Sequence, residues 1–345
     1  MDKVTVLRSG RYSVRFDYRH AWFNLGLIVL ILIAGGHALV SGSKLLDFSD
    51  VIRFVLGEGL TPLQHKILID IRLPVVLTAL AVGASLGASG AVFQSVSRNL
   101  LGSPDVLGFT SGAALGAVYH LIAIGQQPLG VALFAFLGGC VTAAIIYFGA
   151  LKTGTLNTSR LILVGIGVGA TLTAITSFLL VKGDLDNSMQ ATMWLAGSLD
   201  GKNWDHVLTA MGGSILGVPI LMCLAKPLNL AEMGDALALG LGVNIALSRH
   251  LSLLVAVLMV ALATAAAGPI AFIALGAPHL ARLFVGSTLP IVTSALTGAA
   301  LLILAHRVSS VFTIAENLPI GRITAILGGV YLIVLLVNQN RKKQL

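Results

Sequence analysis

Long apolar runs, separated by short polar turns, fill the chain from Ala21 onward. Each run is close to the roughly 20 apolar residues that a helix needs to cross the hydrocarbon core. Ten such runs are predicted, at 21–41, 73–96, 108–125, 129–150, 161–181, 206–225, 250–268, 270–284, 290–309 and 320–337. The run at 270–284 is the least regular, because it follows Gly268-Pro269 with almost no loop. Barrel strands alternate apolar and polar residues, and these runs do not. The pattern predicts an all-α polytopic membrane protein.

One break in the pattern carries more information than the rest. The stretch Arg98 to Ala117, RNLLGSPDVLGFTSGAALGA, puts Arg, Asn, Ser, Pro and Asp between two apolar runs, with Gly108, Gly112 and Gly116 spaced by four. Pro104 stops a helix from running through. Asp105 is expected to cap the helix that follows, where its charge suits the N-terminal dipole. Irregular backbone at membrane depth is tolerated only where protein or water covers it. The segment is therefore expected to be packed inside the bundle. Other small-xxx-small pairs, Gly83/Gly87, Gly165/Gly169 and Gly213/Gly217, predict close helix contacts.

Composition agrees with a lipid environment. Apolar residues make up 56% of the 345, charged residues 10%, and mean hydropathy is +0.94. Soluble domains carry about 25% charged residues. Charge then sets orientation, because cytoplasmic loops collect Lys and Arg. With both termini inside, 14 of the 22 basic residues are cytoplasmic and 9 of the 14 acids lie outside. An even number of spans fits that arrangement. The net charge of +8 reads as topology, and no nucleic-acid partner is expected. Residues 1–20 form a basic cytoplasmic segment without a convincing cleavage site, so the first span reads as a retained helix. Residues 21–340 form a single permease domain. Cys140 and Cys223 fall within spans and are expected to be small buried residues.

Candidate chemistry is sparse. No GxxxxGK[ST] phosphate loop occurs; the strings Gly42-Ser43-Lys44 and Gly201-Lys202-Asn203 lack the required spacing. The chain is not expected to hydrolyse ATP or to hold a metal. No carboxylate lies in the middle of a span, which disfavours an ion-driven carrier. An intramembrane enzyme would need paired acids or His-rich motifs. A passive channel would leave the acidic helical loop 229–242 without a purpose.

Five blocks of sequence resemble the FecCD-type (BtuC-like) permeases, the membrane subunits of ABC importers for iron–siderophore complexes, haem and vitamin B12. They are the run from IRLPVVLTALAVGASLGASG through RNLLGSPDVLGF, then MWLAGSLDGKNWDHV, LNLAEMGDALALGLGVN, AGPIAFIALGAPHLAR and NLPIGRITAILGGVYLIVLL, in the family's order. The resemblance implies ten helices in the bacterial cytoplasmic (inner) membrane. It also implies a second, similar permease subunit, two cytoplasmic ABC ATPases that bind ATP and Mg, and a periplasmic binding protein. The strings NLLGSPDVLGF and GGVYLIVLLVNQNRKK point within the family to a ferric catecholate cargo, with haem and cobalamin as alternatives.

By the same resemblance, loop 229–247 is the coupling segment that sits on the ATPase. Its candidate residues are Leu230, Glu232, Met233, Asp235, Ala236, Leu237, Leu239 and Gly240. An ordinary headgroup-lying loop would prefer Lys and Arg to its two acids. Arg72 in RLP is the candidate contact for the binding protein. The family often shows RLPR, and Val75 stands in the last place here. His306 and Ser310 stand where the family often has Asp and Arg, and Arg307 is the displaced candidate. Arg322, at a position that is usually aliphatic in the family, is the candidate cation of the translocation path. Pairing with Glu316 is its structural alternative.

Overall fold

The computed structural model describes residues 4–9, 12–41, 45–152, 155–286, 289–311 and 318–343. Glu316, the suggested partner of Arg322, lies outside them. Among the described residues seven helices are long and apolar enough to cross a membrane: α1 (Tyr18–Val40), the continuous Pro62–Ser97, α6 (Pro128–Ala150), α7 (Thr158–Lys182), α9 (Trp204–Glu232), α11 (Ile245–Ala267) and α13 (Ile291–Val311). Three shorter apolar helices complete the expected ten: α5 (Phe109–Ala123), α12 (Ile273–Val285) and α14 (Ile320–Lys343). The helix Pro62–Ser97 comprises α3 (Pro62–Lys66), a π-helical turn at Ile67–Arg72 and α4 (Leu73–Ser97).

Outside the spans lie α2 (Phe48–Val55), α8 (Leu185–Leu195) and α10 (Asp235–Gly240). Two antiparallel hairpins also form, β1 (Val4–Ser9) with β2 (Tyr12–Asp17), and β3 (Leu151–Lys152) with β4 (Thr155–Leu156). The hydrophobic pattern signals neither hairpin, because both lie in the polar segments flanking spans.

Helix α4 is the centre of the bundle. It packs against α9, α11, α12 and α13, and nearly every residue from Val82 to Ser97 is buried. Glycine makes this possible. A Cβ on Gly83 would collide with the backbone of Gly298, and one on Gly87 with the backbone of Ser294. The α5 pair Gly112/Gly116 meets α6 in the same way, at Thr142 and Phe134. Close backbone approach replaces the hydrophobic driving force that is missing between helices in lipid.

The break at 98–108 is packed inside the protein only in part: Arg98, Asn99, Leu100, Leu101 and Val106 are exposed. Gly102, Ser103, Pro104, Leu107 and Gly108 are all buried. Helix α5 has 15 residues, about 22 Å of helix against a core of about 30 Å, so irregular chain must occupy the remaining depth. Arg98 adopts the left-handed conformation at φ 49° and ends α4. One detail differs from expectation. Asp105 does not cap α5: the N-cap is Gly108 at φ 75°, whose backbone a side chain would press into Gly165. The Asp105 side chain, half-buried, instead interacts with the Thr110 side chain. The cysteines also depart from expectation. Cys223 is exposed and Cys140 half-buried, because both sit on outward faces of their helices.

Candidate functional site

Helix α4 carries Arg72 at one end and Arg98 at the other, and α9 runs from Trp204 to Glu232. Charged residues therefore gather at two opposite faces. The face expected to be cytoplasmic holds an ion-paired cluster around the coupling candidates. Arg249, at the start of α11, donates from both terminal nitrogens to Asp235, Nη1 to Oδ2 at 3.1 Å and Nη2 to Oδ1 at 2.7 Å. Arg98 Nη2 also donates to Asp235 Oδ1 and to the Ala231 carbonyl at 3.1 Å. The Arg249 hydrogen bonds, with smaller help from Arg98, hold the Asp235 carboxyl below its ordinary value of 3.8. Arg282 of α12 reaches Glu232 Oε1 at 3.4 Å. Both acids thus pin the segment to α4, α11 and α12.

Gly234 at φ 129° and Gly242 at φ 80° set the turns on either side of α10. Ala238 is fully buried and packs with Ala231 and Ile245, and Leu230 lies partly buried against them. The large apolar residues on the other side face outward. Met233 is 71% exposed, Leu237 50%, Leu239 62% and Leu241 62%, with Ala236 and Gly240 exposed between them. The turn is amphipathic: its acids are tied to the bundle and its Met and Leu side chains form an exposed apolar patch.

The opposite face carries a second group. Arg72 and Arg307 lie within electrostatic reach of each other, so the structure brings the two docking candidates together. His306 feels both arginines and Asp200. Lys202 is drawn down to about 8 by burial, against the opposing pull of Asp200. In the sequence His306 stands out only as a substituted family position, and Asp200 and Lys202 carry no such signal; these two share the loop between α8 and α9, whereas His306 is on α13. The loop of Asp200 and Lys202 begins at a tight glycine junction: Gly197, Gly268 and Gly321 meet so closely that a Cβ on any one would strike backbone of the others' segments. Ser198 N donates to the Ala267 carbonyl at 2.9 Å, and Gly321 N to Gly197 at 3.3 Å. Three of the five resembling blocks converge there.

Arg322 follows Gly321 and is exposed. It borders a cleft of about 510 Å³ between the ends of α7, α8 and α14, with Ser188, Met189, Thr192, Met193 and Pro319. The methionines were not anticipated. Their signal is the spacing of Leu185, Met189 and Met193, which lays one apolar stripe on α8.

Ten apolar helices with an apolar, ion-pinned turn on one face and a charged rim on the other define the membrane-spanning subunit of a transporter. The chain belongs to the FecCD transport family, whose sequence profile matches residues 27–338. It is a multi-pass protein of the cytoplasmic membrane. It is 42% identical over 318 residues to the ferric enterobactin transport system permease protein FepG of Escherichia coli (strain K12), covering 92% of this chain and 96% of that one. It is 37% identical over 285 residues to the cobalamin import system permease protein BtuC of Halobacterium salinarum, covering 81% and 76%. Among solved structures it resembles an inward-facing metal-chelate type ABC transporter, with TM-score 0.79, 28% identity, and coverage of 92% of this chain and 99% of that chain.

Proposed function

We propose that the chain is one of two permease subunits of an ABC importer that moves an iron–siderophore complex, of the ferric catecholate class, into the cytoplasm. Two cytoplasmic ATPases bind ATP and Mg, and a periplasmic binding protein delivers the cargo. The chain performs no bond chemistry and holds no cofactor of its own.

The observation that carries this reading is the α10 surface. Its exposed apolar residues need a covering partner, and its acids are already paired to the bundle. A groove on the ATPase closing over Leu237 and Leu239 would transmit a push through α10 to α4, α11 and α12 by way of Asp235 and Glu232. On the opposite face, Arg72 and Arg307 seat acidic residues of the binding protein.

The cargo class rests on likeness and on the cleft at Arg322. A ferric tris-catecholate is a bulky anion rimmed by aromatic rings. Arg322 supplies positive charge to attract it. Met189 and Met193 offer thioethers that suit aromatic edges without gripping them. The relative named for cobalamin supports a second reading, a neutral corrinoid cargo, which leaves Arg322 without a role.

Phosphate release tests the division of labour. The chain alone in lipid should release none above background, and the assembled complex should release it faster when loaded binding protein is added. Hydrolysis by the lone chain would overturn the reading.

A further inference from the structure

A groove of about 380 Å³ opens between α6 and α11, on a part of the molecule that neither the coupling nor the docking surface uses. It runs from Tyr147, Leu161 and His250, near the end that carries the Asp235 cluster, to Cys140 and Leu258 towards mid-membrane. From His250 to Leu258 is about 12 Å of helix, most of the roughly 15 Å of one leaflet's hydrocarbon. The walls are alanine, leucine, valine and aromatic residues.

One atom does not fit an empty apolar groove. His250 Nε2 is enclosed and has no hydrogen-bond partner. The Tyr147 ring stands edge-on to the imidazole, 5.5 Å between centroids, and leaves that nitrogen unmet. An enclosed polar atom without a partner is costly, by about 1–3 kcal/mol. A polar atom of the occupant would remove that cost. Beside the same end of the groove, in the first turn of α7, Arg160 is exposed and donates from Nη1 to the Leu151 carbonyl at 3.3 Å. The remaining donors of its guanidinium point to no acceptor in the described chain.

We infer that this groove is a binding site for a phospholipid of the cytoplasmic leaflet, with an acyl chain along α11, a glycerol-ester oxygen at His250 Nε2 and the anionic headgroup at Arg160. Each part of such a lipid meets a matching part of the site. The chain lies on Cys140, Ala143, Ala144, Leu254 and Leu258. The ester carbonyl accepts from His250 in the tautomer that carries its proton on Nε2. The phosphate meets a cation where the hydrocarbon ends. The lipid would also brace the helix that carries Arg249, one residue before His250. It would thereby steady the fork that holds Asp235 and α10. The inference stands apart from the identity of the cargo.

Photolabelling tests it on the assembled transporter in vesicles of phosphatidylglycerol and phosphatidylethanolamine, each lipid in turn carrying a diazirine near the middle of its acyl chain. Labelled peptides are located by mass spectrometry. Residues 140–148 and 250–258 should be labelled several-fold above Ile220 and Met222, which face outward on α9. Phosphatidylglycerol should label the groove more than phosphatidylethanolamine does. Ala144→Trp, which fills the groove, should abolish the excess while α9 labelling stays unchanged. His250→Phe keeps the groove apolar and occupied, and should weaken retention of both lipids. Arg160→Gln should erase the preference for phosphatidylglycerol. Groove labelling no higher than at α9, whether from ordinary annular lipid or from cover by the second subunit, overturns the inference. So does an excess that survives Ala144→Trp.

Discussion

Asp235 is held by Arg249 in a two-bond fork, and the same carboxylate takes a third bond from Arg98. A six-residue helix has little stability of its own, since short isolated helices are marginal in water. The fork gives α10 a fixed orientation. Asp235→Asn keeps the shape but weakens both arginine contacts. Cargo-stimulated ATP hydrolysis should fall several-fold while basal hydrolysis by the assembled complex persists. The carboxyl pKa is depressed, so the ion pair is present above the ordinary value of 3.8 and lost only as pH falls through a still lower value. Coupling should therefore show no titration from this group between about pH 5 and 8.

Leu237→Arg places a cation where the apolar surface is to be covered. Truncating or mispairing a buried charge costs about 3–5 kcal/mol. The variant should insert and fold, because Leu237 is half-exposed and makes no core contact, yet fail to retain the ATPase on purification. Normal transport by Leu237→Arg would remove α10 from the coupling interface.

Arg72→Glu should slow association of the loaded binding protein. Rim charges act mainly on association rate and its salt dependence. The effect should be largest at low salt and fade as salt rises. Surface-plasmon kinetics on the complex in lipid discs would measure it, with Arg307→Gln as the companion variant. Arg307 is the more buried of the two, so its replacement should also lower thermal stability.

Seven of the spans were legible because lipid imposes a length rule that hydropathy alone satisfies, and the shorter α5 and α12 from their apolar runs between breaks. The burial of Gly102, Ser103 and Pro104 within the break at 98–108 was legible for a related reason: irregular backbone cannot lie in lipid unprotected. The proximity of Arg72 and Arg307 was not legible. They lie 235 positions apart, and they approach because α4 packs along α13 through Gly83 and Gly298. No local pattern encodes that pairing. The acids of α10 were visible, but their partners were not, because Arg98 reaches Asp235 from a left-handed backbone that propensity does not anticipate for arginine. Cys140 and Cys223 were misplaced because in lipid an apolar residue has no preference for the interior.

The central claim is ATP-driven import of an anionic siderophore complex by an assembly that contains this chain. The direct measurement is uptake into liposomes that hold the chain, its partner permease and the ATPase, with binding protein outside. A ferric tris-catecholate is compared with a neutral ferric hydroxamate, with and without internal ATP, for the wild type and Arg322→Leu. The account predicts ATP-dependent uptake that favours the catecholate, and a loss of that preference in Arg322→Leu. Preference for the neutral complex, or catecholate accumulation without ATP, would contradict it.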